Sequence, residues 1–146
     1  MVNRTNVSSW QGPVPTEADL AGQARGIKER KRLYDDADLL ALANGGEANL
    51  RLWTSDAQRD VAARTWDAEE VLELVRHAIK SGTSHWPEWC VQSPDGPAAA
   101  CDVFTVFRTE IGRADGVKRL MQYYLKLAIS RSGKLLLIAS CHTTEK

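Results

Sequence analysis

Tyr123–His142 reads YYLKLAISRSGKLLLIASCH, two apolar runs on either side of Arg131-Ser132-Gly133-Lys134. The residues are those that strands favour and the interruption is turn-like, so the stretch is read as a β-hairpin turning at Ser132-Gly133. Strand side chains alternate between faces. Met121, Tyr123, Leu125, Leu127 and Ile129 therefore share one side, the core side, while Gln122, Tyr124, Lys126 and Ala128 share the other. The second set puts a phenol beside an ammonium on a surface, and His142 arrives on the partner strand. Opposite residues of a hairpin have position numbers with a constant sum, and they point the same way. A sum of 265, from a two-residue loop, sets His142 against Tyr123; a sum of 266, from a three-residue loop, sets it against Tyr124 and beside Lys126. A one-residue slip decides which face His142 joins, and local sequence leaves both registers open.

The rest of the chain reads as helices followed by strands. Asp67 with Glu70 opens a capping-box helix whose apolar face is Val71, Leu72, Leu74, Val75, Ala78 and Ile79, ending at Lys80-Ser81-Gly82. Thr54 or Ser55 caps a helix containing Ala57 and Val61, and Asp36 to Ala43 forms a short helix stopped by Asn44-Gly45-Gly46. Upstream, Thr16 and Asp19 start a helix expected to reach about Tyr34, weakened by Gly22 and Gly26, while residues 1 to 15 look like a flexible lead-in. From Trp86 to Val91 the texture becomes strand-like, Ser93 to Pro97 is a turn, and Cys101 to Glu110 alternates, with Val103, Thr105 and Phe107 on one side and Asp102, Phe104, Val106 and Arg108 on the other. Gly112 to Arg119 is a polar loop. The expected fold is α+β: N-terminal helices packed on a small antiparallel sheet, one sheet face on helix 68 to 80 and the other partly open.

At 146 residues and formal net charge zero, the chain is long enough for a real core and is not a wholly basic nucleic-acid binder. Charge is nonetheless uneven: residues 1 to 35 hold 6 basic and 4 acidic groups, 36 to 100 hold 5 and 11, and 101 to 146 hold 8 and 4. A basic sheet face beside acidic helices suits a local polyanion site, although solvated charge explains the same pattern. The odd count of three cysteines, with no apolar segment after Met1, points to a reducing cytoplasm.

The order helix, Lys80-Ser81, a Trp-containing segment, Asp102-Val103-Phe104, Tyr124-Leu125-Lys126 and a closing strand resembles the MqsR-type toxins of bacterial toxin-antitoxin modules, within the RelE-like group of small ribonucleases. The resemblance covers roughly residues 48 to 146 and makes residues 1 to 47 a partly flexible N-terminal extension with helices. It implies a metal-independent endoribonuclease acting on mRNA without a cofactor, and an antitoxin protein as partner. Lys80-Ser81, Tyr124 and Lys126 match the family's residues; the family's last-strand catalytic lysine falls on His142, and its glutamine before Asp-Val-Tyr falls on Cys101. A histidine takes over proton transfer; a thiol does not replace an amide's hydrogen bonds.

Independently of the resemblance, metal-free RNA cleavage needs a base for the ribose 2′-hydroxyl, cations for the phosphate and an acid for the leaving oxygen. His142 is the candidate acid or base, with Lys80, Arg108, Lys126 and Tyr124 around the phosphate. Each has an ordinary alternative as an exposed strand charge or a half-buried tyrosine. Cys90, Cys101, Cys141 and His142 number enough ligands for zinc, but Cys141 and His142 point to opposite faces and no C-x-x-C clamp is present. The same opposition disfavours a Cys141-His142 hydrolase pair. The cysteines read better as small buried hydrophobes. His77 and His85 have no evident partner, and Trp86 with Trp89 reads as core packing, base stacking being the lesser alternative. A second function from another class is a non-catalytic domain that holds nucleic acid or protein on the basic sheet face.

Overall fold

The structure, a computed structural model, describes residues 4–14, 16–21 and 26–145. The terminal hairpin forms as β4 (Lys118–Ile129) and β5 (Leu136–Glu145), closed by a four-residue turn in which Ser130 N–H donates to Leu135 O at 2.9 Å. Gly133 takes φ 78° there, a conformation that costs glycine nothing. Beside the turn the sum of opposite positions is 265, as in Ile129 with Leu136 and Leu127 with Ile138. Ala139 is then inserted as a bulge, and from Lys126 opposite Ser140 outward the sum is 266. Both registers occur in succession along one hairpin, and His142 comes opposite Tyr124.

Outward from the hairpin, β3 (Ala98–Ile111) lies antiparallel to β4, and β2 (Thr83–Val91) lies antiparallel to β3 at the edge. On the far side β1 (Leu50–Leu52) pairs with β5 in parallel, giving the order β1-β5-β4-β3-β2. The sheet is therefore mixed rather than wholly antiparallel, because a strand of only three residues, too short to carry a periodic signal, enters beside β5 in parallel. The loop before β4 is also shorter than expected, since Lys118 and Arg119 already pair with Ile111 and Glu110.

Among the described residues the helices are α1 (Glu17–Ala21), α2 (Asp36–Asn44), α3 (Ser55–Ala63) and α4 (Ala68–Ser81). Thr54 caps α3 by accepting from Ala57 N–H at 3.0 Å, and Asp67 with Glu70 completes the capping box of α4. The expected apolar face of α4 is buried against Phe104, Val106, Tyr123 and Leu125, and α2 adds Leu39 and Ala43 to the same core. The chain is α+β, with α4 on one sheet face and the other face partly open.

Two upstream expectations are corrected. The helix from Thr16 does not run to Tyr34: α1 ends at Ala21, Gly22 lies outside the described residues, and Gly26 pairs with Glu88 while Ile27 N–H donates to Pro87 O at 3.0 Å. Residues 4 to 10 do not trail as a lead-in. Asn6 bridges Ala98, Ser8 bridges Ser130, both side chains are buried, and Ser8 N–H donates to Asn6 Oδ1 at 2.9 Å. Residues 1 to 3 and 15 lie outside the described residues. Asp102 explains how the segment before α2 is held. Its fully buried carboxylate accepts from Leu33 N–H at 2.9 Å and Tyr34 N–H at 3.1 Å, and faces Arg32 Nε at 3.1 Å. The guanidinium lies off the line that a hydrogen bond from Nε would need, so this pair is chiefly Coulombic.

Candidate functional site

The bulge at Ala139 determines which side chains meet. Thr54, besides capping α3, donates its hydroxyl to Ala139 O at 2.8 Å and so ties the bulge to the helix start. Beyond it, Thr83, Thr105, Tyr124 and His142 are successive register partners across β2, β3, β4 and β5, on the face away from α4. The rings of Tyr124 and His142 are 6.2 Å apart, tilted by 34°, and His142 is exposed. Tyr124 donates its hydroxyl to Gln122 Oε1 at 2.9 Å, and His85 Nε2 lies 2.9 Å from Thr105 Oγ1. Nor is His77 unpartnered: its Nε2 is 3.2 Å from Phe107 O.

Lys126 shares this face, one row away, opposite Ser140 and Val103. It is not free, because its ammonium forms an ion pair with Glu88 of β2. Burial alone would push its pKa down, but the hydrogen bond and charge of Glu88 outweigh that and leave it raised. Cys101 is buried opposite Glu88, its thiol donating to Ala99 O at 3.7 Å. A thiol hydrogen bond with Cys90, together with burial, raises its pKa well above the usual range. It cannot offer a substrate the donors of an amide.

The structure does not bring Arg108 and Lys80 into this row. Arg108 alternates with Phe104 and Val106, so it belongs to the α4 side of the sheet, where Nε and Nη2 donate to Glu110 Oε1 at 3.0 and 2.6 Å. Its guanidinium also lies 5.2 Å from the Trp66 ring and 5.4 Å from that of Tyr123. Burial pulls its pKa down while Glu110 more than restores it. Tyr123 donates its hydroxyl to the same Glu110 oxygen at 2.5 Å; burial first and this carboxylate second push the phenol up to about 12. Arg64, 3.6 Å from Glu110 Oε2, completes the cluster. Arg64, Trp66, Arg108 and Glu110 line a cleft of about 760 Å³, and residues 142 and 143 of β5 form part of its wall. Lys80 is exposed in the last turn of α4.

Sequence reasoning missed Glu88, which neutralises Lys126, and the Arg64-Trp66-Glu110 surroundings of Arg108. Glu88 became readable only once the bulge at Trp86-Pro87 was known, for it shifts the pairing between His85 and Glu88. Pro87, which lacks a ladder donor, is the available signal. The three cysteines are buried, and Cys141 faces the core while His142 faces outward. Among the described residues no group of three or more His, Cys, Asp or Glu side chains is placed to hold a metal ion, and no helix is long and apolar enough to cross a membrane. No family model, curated protein or solved structure matches the chain.

Proposed function

We propose that the protein is a metal-independent endoribonuclease of the RelE-like, MqsR-type toxin kind, acting on mRNA in the cytoplasm and restrained by an antitoxin protein. The observation that carries this reading is the pairing of His142 with Tyr124 on an exposed sheet face. In the proposed step a ribose 2′-oxygen attacks the adjacent phosphorus as its proton leaves, the bond to the 5′-oxygen breaks, and that oxygen takes up a proton. The products are a 2′,3′-cyclic phosphate and a 5′-hydroxyl. His142 handles one of the two protons, Tyr124 orients a phosphoryl oxygen, and Lys126 supplies positive charge when phosphate competes for it with Glu88. This reading gives no step of bond breaking to Arg108, which Glu110 holds on the α4 side of the sheet, or to Lys80, at the end of α4. Cleavage of a single-stranded RNA, lost when every 2′-hydroxyl is methylated, tests the chemistry; cleavage of the fully methylated strand overturns it.

A second reading, a non-catalytic domain that holds nucleic acid or protein on this face, is favoured by one observation. Both strand cations of the expected phosphate set are already paired, Lys126 with Glu88 and Arg108 with Glu110. Tight binding of RNA with no cleavage under any condition selects it.

A further inference from the structure

Trp86 is 61% exposed on β2, the edge strand, where core packing would have hidden it. The expectation that it packs in the core with Trp89 holds for Trp89 alone, which is buried with Ile27, Ala98 and Ala100. Residues 26 and 27 are laid along the edge at Glu88 and Pro87, and the chain then turns back with Arg30 N–H donating to Ile27 O at 3.3 Å. Arg30 takes φ 50° in that turn, a left-handed conformation that costs a side-chain-bearing residue about 1 kcal/mol. Its guanidinium carbon stands 4.0 Å from the centre of the Trp86 ring. Lys28 and Lys31 are exposed on the same turn, and neither they nor Arg30 has an ion-pair partner among the described residues. Lysines at a sheet edge also discourage strand pairing, which accounts for their charge but not for an indole left in water.

We propose that Trp86, Arg30, Lys28 and Lys31 form an anchoring site for single-stranded RNA, separate from the His142-Tyr124 row. This rests on RNA being the ligand of the sheet face and adds a place where a flanking nucleotide is held. A base stacks on the indole, sandwiching it with the guanidinium, and the cations meet the neighbouring phosphates. Base stacking tolerates any sequence because every base has a π-face. Strands β2 and β5 are three spacings apart, roughly 14 Å.

The test uses the full chain and a fluorescently labelled 2′-O-methyl RNA single strand, which cannot be cut through its 2′-oxygens, with binding read by anisotropy. Trp86→Ala should weaken binding about 5- to 100-fold. Lys28→Glu with Lys31→Glu should weaken it and flatten its dependence on salt. Lys134→Gln, an exposed cation in the β4–β5 turn away from both sites, should bind within about two-fold of the parent. These side chains are exposed, so circular dichroism and the melting midpoint should stay unchanged. Parent-like binding by Trp86→Ala, equal competition by a duplex of the same sequence, or no binding by the parent at low salt overturns the site. RNA cleavage that ignores Trp86 sinks the anchor and spares the ribonuclease reading. Trp86-dependent binding without RNA cleavage does the reverse.

Discussion

At the scale of single residues, the charge state of Lys126 is set by two opposing influences. Burial draws its pKa down and Glu88 draws it up by more, so the ammonium is charged at neutral pH and already occupied. Glu88→Gln keeps the shape of the partner and removes its charge, and should raise affinity for single-stranded RNA at low salt by about 3- to 10-fold; anisotropy that does not move excludes Lys126 from the contact. Tyr123 carries a pH signature of the opposite cluster. Its phenol is pushed up from the usual 10 to about 12 by burial and Glu110, so the folded state favours the protonated form. Its contribution to stability is whole below pH 10 and is lost as pH climbs through 12. Urea midpoints should fall across that window more steeply for the parent than for Tyr123→Phe. The thiols are equally constrained. Cys141 is pushed up to about 12 by burial and then by Asp60, and Cys90 and Cys101 are buried with it. A disulfide reagent at pH 8 should find none of the three in the native protein and all three after unfolding.

Among the elements, the hairpin carried its own signal in the alternation of Met121 to Ile129, which burial of those odd positions bears out. The bulge had no such signal. Ala139 ends the apolar run Leu135 to Ala139, where any residue fits a strand equally well, and what fixes it is the Thr54 hydroxyl, distant in sequence. Thr54→Val therefore removes a helix cap and the tether of the bulge together. It should cost about 1 to 2 kcal/mol in a denaturant titration, and should lower RNA turnover because His142 no longer holds its register with Tyr124. Turnover equal to the parent's would separate the bulge from the site. Helices α3 and α4 were legible for the converse reason: Thr54, Asp67 and Glu70 act within a single turn of the residues they cap.

Over the whole molecule, the segment before α2 is joined to the sheet by contacts no local pattern encodes. Asp102 looked like one more alternating strand residue, yet its buried carboxylate gathers Arg32 and the backbone of Leu33 and Tyr34 from some 70 residues away. Removing one partner leaves a buried charge unpaired, so Arg32→Met should cost about 3 kcal/mol by urea titration; a loss under 1 kcal/mol would mean the backbone donors alone suffice. The same long-range folding placed Arg108 and His142 on different faces and split the expected phosphate set. What remains of it is the row led by His142 and Tyr124, and the most direct test of that row is cleavage. A labelled single-stranded RNA is incubated with the protein in EDTA, alone and with ribosomes, and product ends are read beside His142→Gln. The proposed chemistry gives cyclic phosphate and 5′-hydroxyl ends and a variant slower by about 10²- to 10⁴-fold. RNA left intact in both settings, or a folded variant as fast as the parent, contradicts it.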